Sequence, residues 1–275
     1  MSAKHALITG GNSGIGRAAA SQLLDRGWDV LIAARRPDAA RKVVGDLSRR
    51  GSIDFVELDL ANLASVRECA SAVKERWPQL DALINNAGSV RSRREQSADG
   101  FELSFQTNHL GHFLLTHLLR DQLGAAESPR VVNVSSKMHQ RSHGIDFDDL
   151  QMEQGYSAVR GYADGKLANV HFARELARRW PDVEAYAVHP GGVRTELGGG
   201  GELRGLPRWV WWFASRLMRS PGNGAKPVVQ LAAGEIEGPN GAYFDRFDIP
   251  TPTPAAADDE AAKRLWEISA ELVGV

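Results

Sequence analysis

Cysteine and long apolar runs are scarce in this sequence. Cys69 is the single cysteine among 275 residues, so the chain cannot form an intramolecular disulfide, and we expect no reactive-thiol chemistry. The lack of disulfides fits a reducing compartment, and we expect a cytoplasmic protein. The longest apolar candidate, WVWWFA at 209–214, has six residues, against the roughly 20 that a membrane-spanning helix needs. We therefore expect no integral membrane segment.

The sequence also lacks a strong charge of either sign. Its 33 Lys and Arg residues nearly balance 34 Asp and Glu residues, which leaves a formal net charge of −1 at pH 7. Such a chain has no field that would attract nucleic acid or an anionic membrane, and we expect neither as a partner. We expect no metal site. The chain begins MSAKHALITGG, which reads as a strand and a turn and not as a secretory signal, so we expect a soluble protein.

Strand-like and helix-like patterns alternate from the start of the chain. The strand-like runs are rich in Val, Ile, Leu and Ala, which is typical of strands that are buried on both faces. They lie at 5–10, 29–36, 52–60, 81–88, 130–136 and 183–191, with a possible seventh at 241–247. The repeated β-α-β order predicts an α/β fold: one Rossmann-type, doubly wound parallel sheet of about seven strands with helices on both faces. We find no domain boundary, and residues 1–275 are predicted to form a single domain.

The first turn of this predicted fold is rich in glycine. Residues 9–16 read TGGNSGIG, with three glycines spaced G-x-x-x-G-x-G between the first strand and the first helix. Glycine lets a pyrophosphate approach the backbone closely, and the helix N-terminus offers it free N–H groups and partial positive charge. Many turns are glycine-rich, but the strand–turn–helix context favours a dinucleotide site. We expect cofactor contacts from Gly10, Asn12, Ser13, Gly14, Ile15 and Gly16.

The end of the second strand indicates which dinucleotide is bound. An NAD site places a carboxylate there to hold the ribose 2′-hydroxyl, whereas this chain has Ala34, Arg35 and Arg36. A guanidinium pairs with a 2′-phosphate in a fork geometry. The sequence therefore predicts NADP(H) in preference to NAD(H), with Arg35 as the contact. The alternative is that Arg35 merely ends a strand.

Tyr162 and Lys166 lie four positions apart in the helical run GYADGKLANVHF. Taken alone, such a pair is most often a half-packed phenol beside a solvated ammonium. The rest of the chain, however, resembles the short-chain dehydrogenase/reductase family over nearly its whole length. The motifs that carry this resemblance are, in chain order, TGGNSGIG at 9–16, Asp59, NNAG at 85–88, Asn108 in TNHLGHF, Ser136 closing NVSS, Tyr162 with Lys166, and HPGGVRT at 189–195. Peripheral segments, among them DFDDLQ and KLANVHFARELARR, are similar to the retinol dehydrogenase-like branch.

The resemblance implies an oxidoreductase in which four side chains carry the chemistry. Tyr162 would exchange a proton with the substrate oxygen, and Lys166 would lower the phenol pKa and bind the nicotinamide ribose. Ser136, chosen over Ser135 by its place in the motif, would hydrogen-bond the substrate oxygen. Asn108 would hold a water that links Lys166 to solvent. Singly, Asn108 could instead satisfy helix backbone groups and Ser136 could cap a strand end.

The resemblance also implies further cofactor contacts. Residues expected at the adenine are Asp59 and Leu60, and those expected at the adenosine ribose are Asn86, Ala87 and Gly88. The nicotinamide end is expected to meet Pro190, Gly191, Val193 and Thr195. One position departs from the family: Gly165 precedes the lysine where Ser or Ala is usual. A helical glycine costs about 1 kcal/mol relative to Ala, and its absent side chain could leave room by the nicotinamide or alter the site.

The resemblance indicates how substrate and assembly are arranged. Residues 196–227 would fold over the substrate as a lid, with a glycine hinge at 198–201 and an apolar face of Trp209, Trp211, Trp212, Phe213, Leu217 and Met218. Such a face suits a bulky lipophilic or aromatic carbonyl compound better than a small hydroxy acid, and we expect a small-molecule partner, a lipophilic carbonyl or alcohol. The alternative is that the same aromatics pack on the sheet or dock on a membrane. A long insertion between Ser136 and Tyr162 is expected to cap the catalytic end and to obstruct the helix face used by tetramers. We therefore expect a monomer or weak homodimer.

Two other functions stay open at this point. The first is a tailoring ketoreductase of a secondary-metabolite pathway with one polycyclic substrate, which the sequence does not separate from a carbonyl reductase. The second is a non-catalytic NADP(H) sensor. The complete set of Asn108, Ser136, Tyr162 and Lys166 argues against the sensor, because a sensor needs no proton relay.

Overall fold

The computed structural model describes residues 3–192 and 220–275. Its centre is a seven-stranded parallel sheet in the order β3-β2-β1-β4-β5-β6-β7. The strands are β1 His5–Thr9, β2 Asp29–Ala34, β3 Ile53–Glu57, β4 Ala82–Asn85, β5 Arg130–Val134, β6 Glu184–His189 and β7 Tyr243–Asp245. All six neighbouring pairs run parallel. The prediction of a doubly wound α/β fold is confirmed, and the strand order reverses between β1 and β4.

Helices cover both faces of this sheet. In chain order they are α1 Gly14–Leu24, α2 Pro37–Leu47, α3 Leu63–Arg76, α4 Leu103–Phe105, α5 Gly111–Leu118, α6 Arg120–Gly124, α7 Ala158–Arg179, α8 Pro221–Ala233, α9 Pro254–Ala257 and α10 Asp259–Val273. One apolar core joins the sheet to α3, α5, α7 and α10, and a second joins it to α1, α2 and α8. Central strands face both cores, which explains why their sequences read as continuous apolar runs.

Helix ends follow local sequence signals in part. Asn62 caps α3 as its side chain accepts hydrogen bonds from the N–H groups of Ala64 and Ser65. Gly27 closes the end of α1, which runs to Leu24. It has a φ of +77°, a left-handed value that suits glycine, and its N–H donates to the Leu24 carbonyl at 2.9 Å, while the Trp28 N–H donates to the Leu23 carbonyl at 3.1 Å, which is the pairing of a Schellman motif.

The apolar pattern of SFQTNHLGHFLLTHLLRDQL predicts one long helix, but in the structure this helix is interrupted. After α4 the chain forms a π-helical turn over Gln106–Leu110, and α5 and α6 are separated at Leu119. The apolar periodicity of this stretch is helical throughout, so it gives no sign of the π turn. Such turns rearrange carbonyl pairing and occur frequently at functional sites. This one carries Asn108.

Two segments pack against the long helix α7. The insertion between Ser136 and α7 contacts its amino-terminal end, where Asp146 pairs with Arg160 and Ser142 hydrogen-bonds Asp164. The C-terminal helix α10 lies along the rest, and Trp266 packs its ring on Phe113 and Phe172. The outer side of α5 and α7 is therefore covered by α10 as well as by the insertion.

The predicted lid, 196–227, falls mainly outside the described residues. Its last part is helical: Pro221 begins α8, and Gln22 of α1 donates a hydrogen bond of 2.8 Å to the Gly222 carbonyl. In the part of the chain that the structure describes, no helix combines the length and apolarity needed to cross a membrane.

Candidate active site

A cleft of about 470 Å³ lies at the carboxyl ends of the strands. The loops that follow β1, β2, β4, β5 and β6 all contribute to its lining, together with the first turns of α7. In open α/β sheets, ligands bind at this edge, where the strand order reverses. The cleft therefore occupies the position that the fold provides for a ligand.

The glycine-rich turn forms one wall of the cleft. Gly10 has a φ of +67° and donates its N–H to the Ala33 carbonyl at 2.8 Å, which closes the turn against β2. A Cβ atom at Gly16 would lie only 2.4 Å from the Gly10 carbonyl oxygen, so α1 approaches the turn too closely for any side chain there. Ser13 precedes α1 without capping it through its side chain. The first N–H groups of α1 thus face a cradle that fits a pyrophosphate.

The loop after β4 packs directly on this turn. Thr9 Oγ1 accepts hydrogen bonds from the N–H groups of Asn86 and Ala87, at 2.9 and 3.0 Å. Asn86 Nδ2 in return donates to the Thr9 carbonyl at 2.7 Å. A Cβ atom at Gly88 would stand 2.8 Å from Asn108 Oδ1. Backbone and side chains here fix the loop in one position, so its cofactor-facing surface is preformed.

Two basic residues line the cleft where β2 ends. Arg35 and Arg36 are exposed, and no carboxylate lies beside them in the segment between β2 and α2. Asp59 and Leu60 lie after β3, where Asp59 Oδ1 accepts the Ala61 N–H at 3.0 Å and shapes the turn. The donor set at this end consists of two guanidinium groups, which fits a phosphate.

Asn108 is held by the loop that follows β4. Its amide makes two hydrogen bonds of 2.9 Å with the backbone of Ser89, one donated and one accepted. It is fully buried and does not line the cleft itself. Its amide therefore ties the π turn to the loop that follows β4. This contact matches the alternative structural role, in which Asn108 satisfies backbone groups.

Tyr162, Lys166 and Ser136 converge at the other end of the cleft. The Lys166 ammonium lies 5.7 Å from the centroid of the Tyr162 ring and donates to the Val134 carbonyl at 2.9 Å. Ser136 interacts with the Tyr162 phenol by a side-chain hydrogen bond and also caps the 3₁₀ turn Lys137–Arg141. The three groups thus surround one point of the cleft, as a proton-transfer site requires.

The two neighbouring serines are used differently. Ser135 is buried, and its hydroxyl donates a hydrogen bond of 2.7 Å to the Lys166 carbonyl. Ser136 is partly exposed and faces Tyr162. Ser135 therefore anchors α7 to the end of β5, and Ser136 is the hydroxyl available to a substrate.

The pKa of Tyr162 runs against the sequence-based expectation. Burial raises it, and the hydrogen bond from Ser136 offsets only part of that rise. Burial also lowers the pKa of Lys166, to about 8, and one of its three N–H groups donates to the Val134 carbonyl. The phenol of the protein alone therefore keeps its proton at neutral pH.

Gly165 faces the Asn108 side chain. A Cβ atom at this position would meet that side chain at 3.4–3.6 Å, which is ordinary van der Waals contact. The space left by the missing side chain therefore lies between α7 and the π turn.

Most residues that the sequence indicated come together in this one cleft. Those in its lining are Gly10, Asn12, Ser13, Gly14, Ile15, Arg35, Asp59, Leu60, Asn86, Ala87, Gly88, Ser136, Tyr162, Lys166, Pro190 and Gly191. Gly16 and Asn108 pack directly behind the lining. Val193 and Thr195 lie outside the described residues.

Several lining residues were not expected from the sequence. They are Ala33, Ala34, Arg36, Leu58, Ser89, Arg91, Thr107, Val134, Ser135, His189 and Gly192. Each adjoins a motif residue or follows a strand, so the rule that ligands bind at carboxyl strand ends would have found most of them. Among the described residues, no group of three or more His, Cys, Asp or Glu is arranged to hold a metal ion.

A dinucleotide cradle, a tyrosine–lysine–serine cluster and a doubly wound sheet define an NAD(P)-dependent oxidoreductase. The family model described as short chain dehydrogenase matches residues 4–200, and the chain belongs to that family. Its relatives make it retinol dehydrogenase-like, and such enzymes act on CH–OH groups.

Named relatives match over nearly the full chain. Retinol dehydrogenase 13 of Homo sapiens is 40% identical, across 99% of this chain and 85% of its own length. Retinol dehydrogenase 14 of Homo sapiens is 39% identical, across 100% and 88%. Dehydrogenase/reductase SDR family member 13 of Homo sapiens is 42% identical, across 98% and 73%.

Solved structures support the same fold. The crystal structure of a putative uncharacterized protein from Mycobacterium Paratuberculosis superposes with a TM-score of 0.81 at 31% identity, across 99% of this chain and 94% of its own. A putative NAD(P) dependent gluconate 5-dehydrogenase from Beutenbergia cavernae, solved with bound NADP, gives a TM-score of 0.70 at 26% identity, across 89% and 95%.

Proposed function

We propose that this protein transfers hydride between NADP(H) and a lipophilic carbonyl or alcohol, with Tyr162 as the general acid and base. The observation that carries the proposal is convergence. Tyr162, Ser136 and Lys166 line the same cleft as the glycine-rich turn, although up to about 150 residues of chain separate them from it. A dinucleotide cradled by that turn and extending along the cleft would reach the three side chains.

The chemistry follows from these side chains. When bound, the dinucleotide would supply the hydride. The Ser136 hydroxyl would donate a hydrogen bond to the substrate oxygen and stabilise the charge that develops there. Tyr162 would then give its phenolic proton to that oxygen. Because burial raises the phenol pKa, the proton is in place at neutral pH for transfer to a carbonyl oxygen.

Lys166 would hold the cofactor ribose and return protons to Tyr162. Its ammonium is within hydrogen-bonding distance of the Val134 carbonyl, and the Asn169 amide shares that carbonyl at 3.2 Å. Lys166 can therefore turn toward a ribose hydroxyl without leaving the Val134 oxygen unpartnered. Asn108 lies beside it, across Gly88, and supports the proposed water-linked relay.

The preference for NADP(H) over NAD(H) is supported by charge. Arg35 and Arg36 line the cleft at the end of β2, where an NAD site would carry a carboxylate. The related Beutenbergia cavernae protein was solved with NADP. The proposed contact is a fork of hydrogen bonds from Arg35 to a 2′-phosphate.

A lipophilic substrate and a monomeric or weakly dimeric state are part of the proposal. Retinol in the relatives' names and the aromatic run 209–214 support an apolar substrate, while the lid role of 196–227 stays a prediction. Helix α10 packs over α5 and α7, and this supports a monomer or a weak homodimer. The cytoplasmic location stays a prediction that the single cysteine favours.

NADPH consumption measured against a panel of lipophilic ketones and aldehydes tests the function. We expect turnover with several of them and none with small hydroxy acids and NADP⁺. Turnover of a single polycyclic ketone would favour the tailoring ketoreductase. Tight NADPH binding with no turnover across the panel would favour the sensor and contradict the proposed activity.

A further inference from the structure

His112 is a fully buried residue on α5 that none of the sequence motifs assigns to a task. Its Nε2 atom lies 2.9 Å from Thr9 Oγ1, and its Nδ1 atom lies 3.3 Å from the Asn108 carbonyl oxygen. One imidazole thus touches the turn that begins the dinucleotide cradle and the π turn that carries Asn108. These two segments are about 100 residues apart in the sequence.

The hydrogen bonds around Thr9 fix which nitrogen of His112 carries the proton. Thr9 Oγ1 already accepts from the N–H groups of Asn86 and Ala87, and a hydroxyl oxygen has two lone pairs. It can therefore only donate, and it has one proton to give. Of its two remaining neighbours, His112 Nε2 at 2.9 Å is closer than the Ile84 carbonyl at 3.4 Å. Nε2 is then the acceptor, so Nδ1 carries the proton and donates it to Asn108.

The result is a chain of hydrogen bonds with one direction. It runs from the N–H groups of Asn86 and Ala87 to the Thr9 hydroxyl, on to His112, and ends at the Asn108 carbonyl. Reversing His112 to the other tautomer would leave its Nε2 proton facing an oxygen whose lone pairs are both used. Both ends of the chain border the cleft: Asn86 and Ala87 line it, and Asn108 lies against Gly88.

We propose that His112 is a positioning residue that holds the cofactor-facing loop through Thr9 and the Asn108 turn through the Asn108 carbonyl. This inference rests on the proposed function for its effect on turnover, but not for its effect on cofactor binding. A charged imidazole could not accept from Thr9, and burial, with the nearby Lys166 charge, lowers the His112 pKa to about 3. The chain therefore keeps one arrangement wherever the protein is folded.

Two variants separate the halves of this role. In His112→Asn the amide nitrogen takes the place of Nδ1, so the bond to Asn108 is kept and the bond from Thr9 is lost. In His112→Gln the amide oxygen takes the place of Nε2, so the bond from Thr9 is kept and the bond to Asn108 is lost. We expect the Asn variant to weaken NADPH binding roughly three- to tenfold, with kcat within about twofold of wild type. We expect the Gln variant to lower kcat roughly three- to tenfold, with NADPH affinity within about twofold of wild type.

His117→Asn and His117→Gln serve as matched controls, because His117 lies on the same helix among Phe113, Trp180 and Trp266. They should lower thermal stability comparably without separating NADPH affinity from kcat. If the two His112 variants changed affinity and kcat in parallel, in proportion to their loss of stability, His112 would be merely structural and the proposal would be overturned.

The ¹⁵N chemical shifts of the His112 ring give a readout that needs no turnover. We expect the Nδ1–H tautomer at all pH values between 5 and 9 (roughly the range in which an ordinary histidine would titrate), both with and without NADPH. An Nε2–H tautomer, or titration in this range, would overturn the assignment. If wild type reduced no carbonyl compound, the proposed function would fail, while NADPH affinity and the ring shifts would still decide the role of His112.

Discussion

The Lys166 ammonium donates a 2.9 Å hydrogen bond to the main-chain carbonyl of Val134, which anchors α7 to the end of β5 at the catalytic end of the sheet. Lys166 is 3% exposed and has no carboxylate partner among the described residues, so its charge is held by the Val134 carbonyl dipole and the Tyr162 ring. Burial consequently lowers its pKa to about 8, from an ordinary value of 10.5. Burying the charged Lys166 ammonium in the cleft thus lowers the stability of the fold.

We predict that this cost is visible in the pH dependence of stability. The unfolded chain keeps the lysine proton up to about pH 10.5, whereas the folded protein releases it near pH 8. The unfolded state therefore binds more protons between these values, and the free energy of unfolding rises with pH across that window. Urea unfolding should show a gain on the order of 3 kcal/mol at most, relative to Lys166→Met, which does not titrate. Equal slopes for the two proteins would contradict the burial of a charged lysine.

Replacement of Tyr162 by Phe removes the phenolic proton and little else. We predict that carbonyl reduction falls by at least about 100-fold, because general acid catalysis is lost. NADPH affinity, measured by fluorescence, should stay within about twofold of wild type. Tyr156→Phe is the matched control, since that hydroxyl donates to the Arg91 carbonyl and Tyr156 does not line the cleft. Substantial turnover by the Tyr162 variant would end the assignment.

The sequence was most informative where one residue type is required by local geometry. Gly10 has a positive φ and Gly16 has no room for a Cβ atom, so the cradle could be read from glycine spacing alone. The buried strands could likewise be predicted from their apolar runs. The π turn at Asn108 could not be predicted, because its residues keep helical periodicity and the turn depends on partners distant in the chain, such as Ser89.

The pKa of Tyr162 was missed for a related reason. Helical spacing correctly placed an ammonium beside the phenol, but desolvation depends on everything packed around both groups, which one helix does not show. In the same way, the space left by Gly165 could be recognised only once Asn108 was seen to fill the other side. The sequence therefore predicted which residues form the site, whereas their protonation and contacts depend on tertiary packing.

Gly165→Ala is predicted to stabilise the protein. The new methyl group would meet Asn108 at 3.4–3.6 Å without a clash. The substitution removes the helix penalty of glycine, so we expect a gain of roughly 0.5–1 kcal/mol in thermal or urea unfolding, with kcat unchanged. Gly161→Ala is the matched control, because Gly161 lies on the same helix and its Cβ would meet Met152 and Tyr156 at similar distances. A loss of activity confined to the Gly165 variant would show that the altered motif serves the site.

Arg35→Asp is predicted to reverse the cofactor preference. The carboxylate would repel a 2′-phosphate and accept a hydrogen bond from a 2′-hydroxyl, so NADPH should bind roughly 10- to 100-fold more weakly while NADH binds more tightly. Arg49→Asp makes the same change of charge at an exposed position outside the cleft and should alter neither affinity. Unchanged NADPH affinity in the Arg35 variant would refute the contact.

The adjacent serines give a direct test of which hydroxyl meets the substrate. Ser136→Ala removes a donor aimed at the reacting oxygen, and we expect kcat to fall about 100-fold, together with a loss of about 1 kcal/mol of stability because the cap of the Lys137–Arg141 turn is lost. Ser135→Ala removes the 2.7 Å bond to the Lys166 carbonyl, so it should cost about 1 kcal/mol of stability and leave most of the activity. Steady-state kinetics and thermal unfolding of both variants, measured side by side, separate the effect on activity from the effect on stability. If instead the Ser135 variant lost activity about 100-fold and the Ser136 variant kept it, the roles assigned to the two hydroxyl groups would be reversed.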